Sequence, residues 1–209
     1  CQITSGSSTM INFGFSRSSG ITKKLNARYV KEAMKPDRSK LDAAMPSILS
    51  ASKNNAVITQ LCFRPGYSKR TFVEKLSLTS EHGVQGCRWS HMPWLKKENG
   101  LGDPSIQVSI LQKRVLDLVY KPGGDTIHPG DTFIVDMDLS HENLPIGAIL
   151  QSGSVQLRVG GHWNNACVKW KVRYGVDALN WVREDENIKY RLRGVLCEII
   201  KDGIITNGE

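Results

Sequence analysis

No stretch of this 209-residue chain approaches the ~18 consecutive apolar residues that a membrane-spanning helix needs, so a membrane partner is not expected. Its five cysteines, Cys1, Cys62, Cys87, Cys167 and Cys197, include no pair with C-x-x-C spacing. That removes a zinc knuckle and a thioredoxin-type redox motif. Acceptor triplets for N-glycosylation are absent too. An odd number of thiols in a chain long enough to fold without staples favours reduced cysteines in an intracellular compartment. Repeats and low-complexity tracts are missing, and no acidic residue occurs from Met10 to Val30.

What is present is ordinary globular composition, 40% hydrophobic and 23% charged, which excludes collagen, a coiled coil and disorder throughout. The length corresponds to roughly 1.4 domains, fitting one domain with a tail or one larger all-β barrel or sandwich. The net charge of +8 is unevenly placed: residues 1–50 hold eight Lys/Arg against three Asp/Glu, residues 51–209 twenty against seventeen. A basic stripe on the folded domain, the footprint of a nucleic-acid reader, is therefore not expected. A small phosphate-bearing ligand is the more natural anionic partner. The chain starts at Cys1, with Met10 as an alternative start. Arg17, Lys23, Lys24 and Arg28 recur among Ser and Gly, the texture of a flexible basic tail or of an organelle transit peptide. Residues 1–37 are accordingly set apart as a tail or transit-like segment. A cytoplasmic location is expected, or a mitochondrial one if residues 10–30 are a transit peptide.

Residues 26–50 read as short helical pieces broken by Pro36 and Pro46. Strand signals follow at residues 56–63, 71–78, 107–110, 132–135, 154–159 and 193–200, with helices over 111–120 and 177–182. Many short strands separated by turn residues, with few helices, point to a β-barrel carrying helical insertions.

Three motifs invite chemistry. Asp136-Met137-Asp138-Leu139-Ser140-His141-Glu142-Asn143 opens like a calcium loop, but His141 and Gly147 stand where that loop needs its Gly and its bidentate Glu. A polar turn is the better account. Gly83-Val84-Gln85-Gly86 is followed by Cys87-Arg88-Trp89, so glycine-opened backbone beside an Arg offers an anion clamp, or simply a tight turn. Cys167 lies in Gly161-His162-Trp163-Asn164-Asn165-Ala166-Cys167-Val168-Lys169-Trp170, where His162 and Lys169 are near enough in sequence to favour thiolate. It reads either as a reactive thiol or as a small buried hydrophobe. Cys62 and Cys197, mid-strand among apolar residues, read as core.

Taken in order, these pieces resemble the MOSC domain, named for the C-terminal domain of molybdenum cofactor sulfurase, and its stand-alone members most closely. The resemblance runs from about Ser39 to Glu209. It rests on Gly83, Gly86 and Trp89; Gln107-Val108-Ser109 with Arg114; Pro129-Gly130-Asp131; the Asp136 to Gly147 block; and His162 through Gly203, which includes Cys167, Lys169, Arg173-Tyr174-Gly175, Leu192-Arg193-Gly194 and Asp202-Gly203. It implies a mainly β, MOSC-type β-barrel over residues 38–209 with a few peripheral helices. It further implies binding of molybdenum cofactor (molybdopterin), or sulfur carriage as a persulfide on Cys167 for metal–sulfur cofactor maturation. In that reading Cys167, His162 and Lys169 are the catalytic group, and Cys167 is the metal ligand. Arg88, Gly86, Asn165 and Arg193 bind the cofactor.

Two alternatives stand beside it: a small molybdenum-dependent oxidoreductase acting on N-hydroxylated compounds, and a non-catalytic module for an anionic ligand. The residues hold no counterpart of the separate N-terminal β-domain of amidoxime reductases, so complete reductase activity is not expected. Nor is there an aminotransferase-like domain, so pyridoxal phosphate is implied only through a partner cysteine desulfurase acting as sulfur donor. Cys87 departs from the family pattern, which has Asp there; this alters ligand affinity, or makes Cys87 a resolving partner for Cys167.

Overall fold

Val108 and Ile110 alternate with Ser109 and Leu111, yet all four are buried, so strand β5 (Val108–Gln112) must be covered on both faces. The computed structural model, which describes residues 35–124 and 126–209, shows how. The transit-like segment and the helical reading of residues 26–34 lie outside the described residues. Two short helices come first, α1 (Arg38–Ala43) and α2 (Met45–Leu49). Asp37 caps α1 by accepting from the Lys40 amide. Pro46 stands in the first turn of α2, where its missing N–H costs nothing; it starts that helix where a break was expected.

Seven strands form one curled, half-barrel sheet in the order β2-β1-β6-β5-β9-β8-β7. They are β1 (Ile58–Phe63), β2 (Thr71–Val73), β5, β6 (Phe133–Val135), β7 (Ile149–Ser152), β8 (Val155–Val159) and β9 (Val195–Lys201). All neighbours are antiparallel except β5 and β6. That parallel pair needs a crossover, and helix α3 (Lys113–Val119) lies in it. The helix begins two residues later than its spacing predicts, because Leu111 and Gln112 stay in the ladder opposite Ile134 and Val135.

Residues 71–78 are not the single strand expected. The chain turns at Glu74, so Phe72 pairs with Cys62 while β3 (Lys75–Thr79) joins β4 (Gly83–Val84) and β10 (Gly203–Thr206) in a three-stranded sheet. Leu76, Leu78, Val84 and Ile205 of that small sheet pack into the same core as Ile110, Phe133, Leu157 and Cys197. The opposite face of β5 and β6 is covered by helices. Leu111 and Ile134 meet Val115 of α3, Trp170 and Tyr174 of α4 (Val168–Tyr174), and Ala178 and Trp181 of α5 (Val176–Arg183). A one-turn helix, α6 (Asp185–Ile188), leads back toward β9.

Gly194, just before β9, is forced by this packing. Its φ is +89°, and a Cβ there would sit 2.0 Å from the Ile110 carbonyl oxygen. The acidic block is the polar turn expected. Asp138 accepts from the Ser140 amide, Asn143 Nδ2 donates to the Lys53 and Asp138 carbonyls, and Asp136 pairs with Arg114.

Candidate functional site

Between the helices and one face of the sheet lies a cavity of about 390 Å³, within the size range of small-molecule sites. Four segments build most of it. The β1–β2 loop brings Arg64, Tyr67, Lys69 and Arg70; the loop entering α4, with the first turns of that helix, brings Trp163, Asn164, Asn165, Cys167, Lys169, Trp170 and Arg173; the segments entering β6 and β9 bring Asp131 and Arg193. Arg88 and Trp94 complete the mouth. Seven cations thus face one acid, Asp131, the only carboxylate among the described lining residues.

Asp131 is 1% exposed, and both its oxygens meet Nη1 of Arg193, at 2.9 and 3.0 Å. A buried carboxylate needs such a partner. The pairing leaves Arg193 Nε and Nη2 for other contacts, and its guanidinium lies 4.7 Å over the Trp170 ring. Arg70 donates to the Ser68 and Pro129 carbonyls, while its buried Nε meets no acceptor. Burial first, and then the nearby Arg173, hold the Arg70 guanidinium below its usual range. Gly130 (φ +84°) makes room for these arginines, since a Cβ there would come within 3.0 Å of Arg70 Nε and 3.3 Å of Arg64 Cδ. Toward the mouth, Arg88 and Lys169 face one Tyr67 ring at 4.7 and 5.5 Å.

Cys167 is exposed and unpaired, in contrast to Cys62, Cys87 and Cys197, which are buried. Burial pushes the Cys62 thiol up to about 11 and the Cys197 thiol up to about 12, so both stay protonated and inert. Cys87 is a core residue, 7% exposed and packed with Leu78 and Val84, not a thiol presented beside Cys167. The turn that presents Cys167 is strained, with Ala166 left-handed at φ 59°. It is held by Arg183 of α5, which donates to the Asn165 and Ala166 carbonyls at 2.8 and 3.1 Å. Asn164 Nδ2 in turn ties the same loop to the Arg193 carbonyl at 3.2 Å.

The fold therefore brings Cys167, Lys169, Asn165, Arg88 and Arg193 to one cavity. The other two expected residues sit elsewhere. His162 Nε2 lies 3.5 Å from Asp103, whose carboxyl is held below its usual range chiefly by hydrogen bonds from Ser105. Gly86 is outside the lining, and a Cβ there would meet the Phe63 ring at 2.8 Å. Arg64, Lys69, Arg70 and Arg173 were not anticipated as ligand-facing. The signal for the first three was Arg64-Pro65-Gly66-Tyr67-Ser68-Lys69-Arg70, three further cations and an aromatic in the loop that ends β1. Among the described residues no group of three or more His, Cys, Asp or Glu side chains is arranged to hold a metal ion, and no helix is long and apolar enough to cross a membrane.

No protein-family model matches the chain, and no curated protein does. Among solved structures it is similar to a hypothetical protein at 16% identity and a TM-score of 0.49, over 72% of this chain and 64% of that one. It is similar to YuaD from Bacillus subtilis at 18% identity and 0.49, over 73% and 92%. It is similar to YiiM from Escherichia coli at 15% identity and 0.46, over 72% and 65%. The chain thus spans less than two thirds of the first and third of these.

Proposed function

We propose that the chain is a MOSC-type protein that takes a phosphate-bearing, ring-containing cofactor of the molybdopterin class in the cationic cavity. Cys167 would serve as its metal-binding thiolate or as a carrier of sulfur. The observation that carries this reading is the placement of an exposed thiol at a cavity where seven cations face a single, already paired acid. The order of the sequence blocks and the mainly β fold support it.

The donor set fits such a group. Arg88, Lys169 and Arg193 offer charge and forked N–H donors to a phosphate. Cys167 offers the soft donor that a metal already carrying most of its ligands would accept. When bound, the cofactor would supply a metal that exchanges electrons or accepts sulfur. The chain's own part is to hold the anion, keep Arg193 oriented through Asp131, and present Cys167 through the Arg183 clamp. In sulfur carriage, the Cys167 thiolate attacks the outer sulfur of a donor's persulfide. The new S–S bond forms as the donor's breaks, and the donor thiolate leaves. Pyridoxal phosphate belongs to that donor, a cysteine desulfurase. The anionic cofactor is the partner of the cavity, and nucleic acid is not.

The test is metal and pterin content after expression with an intact molybdenum-cofactor pathway, wild type beside Cys167→Ser. Molybdenum that the variant loses makes Cys167 a ligand; turnover of an N-hydroxylated substrate with a reductant would then extend the reading to a small oxidoreductase. Pterin without metal, with a persulfide formed on wild type alone, makes Cys167 a carrier. An inert Cys167 beside a retained anion leaves a binding module. Finding neither pterin nor persulfide would overturn the proposal.

A further inference from the structure

Five of the seven cations of the cavity fall into two groups. Deeper in, Arg70 and Arg173 crowd near Arg193, and Asp131 satisfies only Arg193. Near the mouth, Arg88 and Lys169 share the Tyr67 ring. Among the described residues, no carboxylate lies within ion-pair distance of Arg70, Arg173, Arg88 or Lys169. Like charges held this close repel in a partly buried setting, and only an anion from outside relieves both groups. A phosphate monoester brings at most about two negative charges at one point, whereas a diphosphate presents charge at two linked points and can meet both groups at once. Beside the mouth group stand two large aromatics, Trp94 at 59% and Trp163 at 43% exposure. Neither is engaged in a ring–ring or ring–cation contact among the described residues, so their faces are open for stacking.

We infer that the cavity is built for a ligand with two anionic groups and a flat ring, a diphosphate ester of the nucleoside-diphosphate kind. One phosphate sits at the Arg70–Arg173–Arg193 group, the second at Arg88 and Lys169, and the ring lies against an indole at the mouth. This rests on reading the cavity as the ligand site, and it narrows the ligand from a monophosphate to a diphosphate.

Calorimetric titration of the full chain with inorganic phosphate, pyrophosphate, AMP and ADP tests it. Pyrophosphate is expected to bind at least about tenfold tighter than phosphate, and ADP tighter than AMP by a similar factor, as two charge-assisted contacts replace one. Lys169→Gln, at an exposed position, should bring the ADP-to-AMP ratio down to about one, and Arg173→Gln should weaken both nucleotides about tenfold. Lys53→Gln, at a surface pair with Glu142, should change neither. Equal affinities for phosphate and pyrophosphate, or an ADP preference that survives Lys169→Gln, would overturn the inference. If AMP and ADP bind alike while Cys167→Ser still loses molybdenum, the diphosphate inference falls and the cofactor proposal stands. If the diphosphate preference holds while neither pterin nor persulfide is ever found, the cofactor proposal falls and the diphosphate site stands.

Discussion

Two cavities of nearly equal volume, about 390 and 380 Å³, occupy this fold and have opposite linings. The first is walled by loops and by α4, and draws in seven cations. The second opens into the half-barrel, walled by Ile110, Phe133, Val135, Leu157 and Ile205, with no Lys or Arg among its described lining residues. Strand β5 serves both: Ser109 faces the cationic cavity and Ile110 the apolar one. Successive side chains of a strand point to opposite faces, so a single residue step separates the two chemistries. The sheet acts as a wall, apolar on its inner side because the core must exclude water. On its outer side the loops set the charge. Both sides carry a packed core, and ligand chemistry belongs to the outer one.

Substitutions on either side can break this division. The largest effect is expected inside the half-barrel: Phe133→Ala should cost about 3–5 kcal/mol in denaturant unfolding, while the folded fraction keeps its ADP affinity. A large affinity loss would mean that the wall transmits strain.

Acid should act next, and on the cationic side. Burial pushes the His128 imidazole down to about 4, against about 6.5 in an unfolded chain. Its neighbours explain the setting. Phe72 and Tyr120 pack edge-on against it, Asp131 favours its charged form, Arg70, Arg193 and Arg173 oppose that form, and the Gly130 amide donates to Nδ1. As pH falls below about 6.5 the unfolded state takes up a proton that the fold refuses until about 4. Stability is therefore complete above that window and drains through it, by at most about 3 kcal/mol. His128→Phe should flatten the dependence of the unfolding midpoint between pH 7 and pH 4.5; an unchanged slope would assign it to other groups.

A smaller effect belongs to the turn beneath the thiol. Arg183→Met removes two hydrogen bonds to carbonyls and should cost about 1–3 kcal/mol, with a changed rate of Cys167 alkylation by iodoacetamide. An unaltered rate would show that Ala166 holds its conformation without the clamp. Smallest of all, Cys167→Ser, at an exposed side chain, should move stability by no more than about 0.5 kcal/mol.

How much of this could be read in advance follows the same division. Strands β1, β8 and β9 and helix α5 carry their own period and turn signals, so their positions were legible to within two residues. The break at Glu74 was not, because Thr71 to Leu78 alternates without interruption. Only the presence of two different partners, β1 for Phe72 and β10 for Leu76, divides it. Helix α4 was hidden for a related reason. Trp170 and Tyr174 give one stripe at i, i+4 and the exposed Val168 and Val172 give another, so no single face stands out. Cys167, Lys169, Arg88, Asn165 and Arg193, singled out in the sequence, do come to line one cavity. The Arg64–Arg70 loop was read only as the end of a strand. His162 does not line the cavity and instead contacts Asp103.

Among the described residues the half-barrel also has two unclosed borders, β2 and β7. An open sheet exposes unpaired backbone groups to which other chains can add, the first step of cross-chain aggregation. Here β2 is three residues long and β7 four. Lys69 and Arg70 stand before β2, Glu74 and Lys75 follow it, and Gly153 ends the run after β7. Each border is too short to template a second chain, and one is fenced by charge. The turn at Glu74 that splits an apparently continuous strand thus acts as a guard: by ending β2 after Val73, it shortens the open border to which a second chain could add.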